Sequence, residues 1–140
     1  MNRPTPHETD YTQWATDTAK LLRERRFDCV DIVHLAEEIE DLGKRQRQAL
    51  KSNLRVLMMH LLKWDYQPEK RSGSWRATIR EHRRRILDIL EDSPSLKSDL
   101  TVVLPQCFTV ARLQAADENG LPLEAFPNLC PYSEIDVLQE

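Results

Sequence analysis

Four carboxylates crowd one short stretch of the chain. Glu37, Glu40 and Asp41 share a helix face at spacings i, i+3 and i+4, with Glu38 beside them. Hard oxygen ligands grouped this way suit magnesium, which bridges carboxylates to phosphate oxygens. Glu37, Glu38 and Asp41 are the candidate metal ligands for such chemistry. A working site also needs acids from a neighbouring helix, and Asp88, Glu91 and Asp92 are the candidates there. Two plainer readings stand beside it. One is a solvated acidic face partly neutralised by Lys44, four residues beyond Glu40. The other is internal ion pairing, with Arg76 or Arg83 as partner.

A second group is basic. Arg76, Arg80, Arg83 and Arg84 recur at helical spacing and form one flank. Guanidinium groups in a row can grip phosphates or carboxylates in bidentate fashion, so these four are the candidate partner-binding or phosphate-binding residues. Arg83 also lies near the apolar side of its helix, where a half-buried ion pair is the alternative. A third group is His60 and His82, with Glu81 next in sequence. Two imidazoles and a carboxylate can hold zinc. No HxxxH or HExxH spacing supports that here, and satisfied histidines on helix flanks fit better. No GxGxxG, Walker or GxSxG signature is present, so no cofactor is expected.

The elements that must position these groups read as helices almost throughout. Only three glycines occur and no stretch alternates like a strand. A first helix is expected from Tyr11 to about Arg25, capped by Asp10 with Gln13 completing a capping box. Its inward stripe is Trp14, Ala15, Thr18, Leu21 and Leu22. The second helix follows Asp31. Ile32, Leu35, Ala36, Ile39, Gln46, Leu50, Leu54, Leu57, Leu61 and Trp64 keep one phase across Gly43, which argues for a single helix to about Trp64 rather than a break at Leu42–Gly43. Gly43 falls on the inward face, where it would let another helix approach closely. After a loop at Gln67-Pro68, Ser74 is expected to cap a third helix to about Glu91. Ser93-Pro94 opens a fourth, from Leu96 to about Glu118, bent at Pro105. An irregular tail follows Gly120, with Ser133 capping a last turn through Leu138.

The expected architecture is therefore all-α, four main helices around one long central helix. Residues 1–140 are read as a single domain, with 1–9 flexible and 121–140 irregular. The first helix should return along the first half of the long one and the third along its second half. Met58, Met59 and Leu62 then widen the apolar surface near its end, and are expected to leave an uncovered strip that serves as an interface.

Charge is divided unevenly. From Lys44 to Arg85 there are thirteen Lys or Arg and three acids; the rest of the chain has seven basic residues and twenty acids. Such asymmetry bears on association more than on fold. The pI of about 5.8, the few aromatics and the lack of helix-turn-helix or zinc-finger spacing weigh against a nucleic-acid role. Cys29, Cys107 and Cys130 are odd in number and far apart, which fits reduced thiols in a cytoplasm. No apolar run approaches the roughly 20 residues that span a bilayer.

Several stretches together resemble the Domain of Unknown Function 29 family of bacterial proteins. They are Leu35-Ala-Glu-Glu-Ile-Glu-Asp-Leu-Gly-Lys44, His60-Leu-Leu-Lys-Trp64, Tyr66-Gln-Pro-Glu69, Ser74-Trp-Arg-Ala-Thr-Ile-Arg80, Asp92-Ser-Pro-Ser-Leu96 and Cys130-Pro-Tyr132. The resemblance implies a helical fold and carries no assigned chemistry, hence no catalytic residues. The Glu37–Asp41 fragment alone is similar to the magnesium-binding pattern of all-helical nucleotide pyrophosphohydrolases. The function expected is that of a non-enzymatic helical interaction protein, binding a second copy of itself or another protein and no membrane. The alternatives are a nucleic-acid-associated protein using the basic 44–85 segment, and a magnesium-dependent nucleotide phosphohydrolase using the 37–41 cluster.

Overall fold

A computed structural model of the chain describes residues 5–139. The fold is all-α, with six helices and no strand among the described residues. The chain divides into two compact units between Lys44 and Arg45.

The first unit opens with α1 (Pro6–Thr9) and α2 (Tyr11–Arg23), followed by a 3-10 turn at Phe27–Cys29 and the start of α3 (Ile32–Tyr66). Thr5 and Glu8 form a reciprocal capping box on α1. A short helical turn thus falls within the stretch expected to be flexible; residues 1–4 lie outside the described residues. Asp10 caps α2 by accepting from the Gln13 N–H at 3.0 Å. The Gln13 side chain does not close the box; it donates to Asp17. Trp14 and Thr18 are the buried members of the expected α2 stripe.

Helix α3 is unbroken over 35 residues, roughly 52 Å of rise. The shared apolar phase of the two halves favours this continuity, and Gly43 does not interrupt it.

In the second unit, the rest of α3 is joined by a 3-10 turn (Pro68–Lys70) to α4 (Gly73–Asp92), and by another (Pro94–Leu96) to α5 (Lys97–Asn119). Ser72, not Ser74, caps α4 by accepting from the Trp75 N–H. Helix α5 runs parallel to α3, since Arg47 meets Asp99, the Cys107 thiol donates to the Lys51 carbonyl, and Lys63 meets Glu118. The intervening α4 must therefore run the other way. Pro105 sits inside α5 on its exposed side, where losing one backbone hydrogen bond is tolerated. Gly120 ends the helix with φ 63°, the left-handed conformation that glycine adopts without strain.

The core of this unit joins Leu50, Leu54, Leu57, Met58 and Leu62 of α3 to Ile79 and Ile86 of α4 and Leu100, Leu104 and Phe108 of α5. The tail contributes Phe126, after a 3-10 turn at Leu123–Ala125, and Val137 of α6 (Glu134–Leu138). Ser133 caps α6 in a capping box with Asp136. No helix among the described residues is long and apolar enough to cross a membrane.

Candidate functional site

A cleft of about 530 Å³ lies in the second unit. Its apolar floor comes from Leu61 and Ile79, and Trp64, Tyr132 and Ile135 form its walls. Arg76, Arg80 and Arg83 project into it from successive turns of α4, so three of the four flank arginines converge. Arg84 does not. It pairs with Glu81 at 2.8 Å, and Arg85 shares the same carboxylate at 3.1 Å. That pairing, Arg84 first, lowers the Glu81 pKa.

The three cleft arginines are held differently. The Arg76 guanidinium lies 5.5 Å from the Trp64 ring, which also carries Arg71 at 4.7 Å. The ring face restrains the guanidinium, whose N–H donors form no hydrogen bond or ion pair among the described residues. Arg83 donates to the backbone carbonyls of Asp136 at 2.8 Å and Val137 at 3.3 Å, so it clamps α6 to α4. Arg80 is exposed and forms no ion pair or hydrogen bond among the described residues. Two acids share the cleft. Asp65 accepts from the Tyr132 hydroxyl at 2.9 Å. Burial, and secondarily Asp65, push that phenol far above its usual range, so it stays a donor. Asp136 is committed to the Ser133 amide and hydroxyl, which lower its pKa.

A different feature lies in the first unit. Asp31, just ahead of α3, and His34 and Glu38 on it form a polar and aromatic cluster with α1 and α2. Glu38 meets His7 Nε2 at 2.7 Å and accepts from the Tyr11 hydroxyl at 2.6 Å. The His7 ring stacks on His34 at 4.6 Å and meets Trp14 edge-on, and His34 pairs with Asp31. This cluster sets which side of α3 the α1–α2 pair covers, and it is not the expected one. Of the expected stripe, Ile32 and Ile39 stand 60% and 60% exposed and Ala36 is exposed too, while Leu35 is partly buried. Gly43 on the same stripe has no atom within 4 Å of a Cβ position, so the close helix approach expected there does not occur among the described residues.

The acidic candidates Glu37, Glu38 and Asp41 do not converge on one point among the described residues. Glu38 is turned to His7 and Tyr11, while Glu37, Glu40 and Asp41 make no ion pair among the described residues. The expected Glu40–Lys44 neutralisation is absent on the same terms. No group of three or more His, Cys, Asp or Glu among the described residues is disposed to hold a metal ion. His60 and His82 each place Nδ1 at 2.9 Å from the carbonyl four residues back, Val56 and Thr78, the geometry of a satisfied helix-flank histidine. Burial lowers the His60 pKa.

The expected interface at Met58, Met59 and Leu62 does not stand open. Met58 and Leu62 are fully buried and Met59 is partly buried against the same core. Helix α5 and the tail residues Phe126 and Val137 complete that core. Met59 does border a shallow depression with Val56, Gln114, Asp117 and Glu118.

A long central helix, flanking antiparallel and parallel helices and an ordered tail define a small helical module. The chain belongs to the domain of unknown function family DUF29, whose model matches residues 7–140. No curated protein matches the chain, and no solved structure does.

Proposed function

We propose that the protein is a non-enzymatic interaction module that pairs with a second copy of itself through the first half of α3. One observation carries the reading. An apolar helix stripe of Ile32, Ala36 and Ile39 stays open in the first unit, although in phase with the buried stripe further along, and Leu42 at its flank is exposed as well. Contiguous exposed apolar surface of this kind marks interfaces on soluble proteins.

The stripe is self-complementary when two copies run antiparallel about a two-fold axis near Leu42. Ile39 of each copy then sits over Gly43 of the other, in the space that the glycine leaves open. Glu40 of each copy meets Lys44 of the other, two opposite charges that lack an ion-pair partner among the described residues. A parallel, in-register pair would set Glu40 against Glu40, so the charges select the antiparallel arrangement. Three unpaired cysteines suit a reducing compartment, and a cytoplasmic setting is part of the proposal.

Cysteine cross-linking tests the geometry. With Cys29 replaced by serine, Leu42→Cys should form a disulfide-linked dimer under mild oxidation and Ile32→Cys should not. Equal cross-linking at both positions, or none at Leu42→Cys, refutes the antiparallel pairing.

A further inference from the structure

The arginine cleft is separate in kind from the apolar face of α3, and its chemistry points to a small ligand. We propose that the cleft lined by Arg76, Arg80 and Arg83 binds a small organic phosphate whose body carries a hydroxyl or amino donor. The phosphate would sit between Arg76 and Arg80, and the body would lie over Ile79 and Ile135 with its donor on Asp65.

Four features carry this. Arg76 and Arg80 are one turn apart on α4, so their side chains stand neighbouring and can hold one anion from two sides. Neither has a carboxylate partner among the described residues. Arg76 is already oriented by the Trp64 ring, which removes part of the ordering cost of binding. Two guanidinium forks offer more donors than one carboxylate can accept, whereas a phosphomonoester presents three acceptor oxygens and up to two charges.

The acids in the cleft refine the ligand. Asp136 is spent on capping α6 and faces Arg83, so those two charges offset each other. Asp65 accepts from Tyr132 on one oxygen, Oδ2, and its other oxygen has no partner among the described residues. An anion without a donor would meet that carboxylate unfavourably; a hydroxyl or amino group beside the phosphate would satisfy it. The volume of about 530 Å³ suits a body of nucleoside size, and Ile135, 63% exposed at the rim, is an apolar surface for it.

Titration calorimetry on the full chain at low salt, using adenosine monophosphate, adenosine and inorganic phosphate, tests this. The monophosphate should bind saturably and more tightly than either of the other two. Arg80→Gln should weaken it by about 10-fold or more, the scale of one charge-assisted hydrogen bond. Arg80 is exposed and unpartnered, so that variant should fold as the parent does. Arg84→Gln, outside the cleft, should leave binding unchanged. Asp65→Asn should narrow the preference for the monophosphate over inorganic phosphate. No saturable binding of the monophosphate, or undiminished binding to Arg80→Gln, overturns the proposal. Equal affinity for the monophosphate and inorganic phosphate overturns the seat for the body. None of these outcomes depends on whether the chain dimerises.

Discussion

The Lys63 ammonium reaches the Glu118 carboxylate at 2.8 Å while its own side chain is only 3% exposed. It also lies 4.9 Å from the Trp75 ring, so one buried cation ties α3, α4 and α5 together. The pair is asymmetric, because Glu118 is about half exposed. Removing Glu118 strands a buried charge, whereas removing Lys63 returns a carboxylate to water. Glu118→Ala is expected to cost about 1–3 kcal/mol, and Lys63→Met to stay within about 1 kcal/mol of the parent. Urea denaturation of both variants checks the order; equal losses would contradict it.

The Asp31–His34 pair makes the first unit sensitive to pH. The hydrogen bond to Asp31 raises the His34 pKa above its ordinary 6.5. The hydrogen bond to His34 lowers the Asp31 pKa below its ordinary 3.8. The histidine contribution is complete below pH 6.5 and fades as pH rises through the raised folded value. The aspartate contribution is complete above pH 3.8 and fades as pH falls through the lowered one. The pair therefore stabilises most between these limits. A proton NMR titration should find His34 titrating above 6.5, and Asp31→Asn should bring it back down. An unshifted His34 in the parent would contradict the pairing.

The two glycines with opposite backbone roles give opposite signs. Gly43 is helical and unobstructed, so Gly43→Ala should stabilise the fold by about 1 kcal/mol. If Ile39 of a second copy occupies that space, the same substitution should weaken self-association. Gly120 has φ 63°, so Gly120→Ala should cost about 1 kcal/mol through backbone strain. Thermal melts at one protein concentration read both effects.

The helices were legible because their signals are local. The apolar phase held across Gly43, and Asp10 and Ser133 cap where the sequence places caps. What could not be read was which side of α3 each neighbour would cover. Phase identifies an apolar stripe without saying that a partner lies on it. In the first unit the contacts of His7 and Tyr11 with Glu38, and of His7 with His34, decide the docking, and the partners in each are polar and some 27 to 31 residues apart in sequence. In the second unit the tail mattered more than its composition suggests. Phe126 and Val137 belong to the same core cluster as Met58 and Leu62, both of which are fully buried. Convergence of Arg76, Arg80 and Arg83 was foreshadowed by their spacing, but the opposite wall, Tyr132 to Gln139, comes from a tail with no periodic signal.

Core and stripe should respond differently to truncation. Leu57 is fully buried, and Leu57→Ala is expected to cost about 2–5 kcal/mol. Ile39→Ala, at an exposed position, should change monomer stability by no more than about 0.5 kcal/mol. Denaturant titrations of dilute protein separate the two; a large loss at Ile39 would mean that the stripe is covered within one chain.

Light scattering across micromolar concentrations tests the central claim most directly. The account expects an average mass that rises with concentration from 16.4 kDa toward that of a dimer. Ile39→Lys, which puts a charge in the middle of the stripe, should hold the protein at the monomer mass without unfolding it. A parent chain that stays at 16.4 kDa throughout, indistinguishable from Ile39→Lys, would contradict self-pairing through α3.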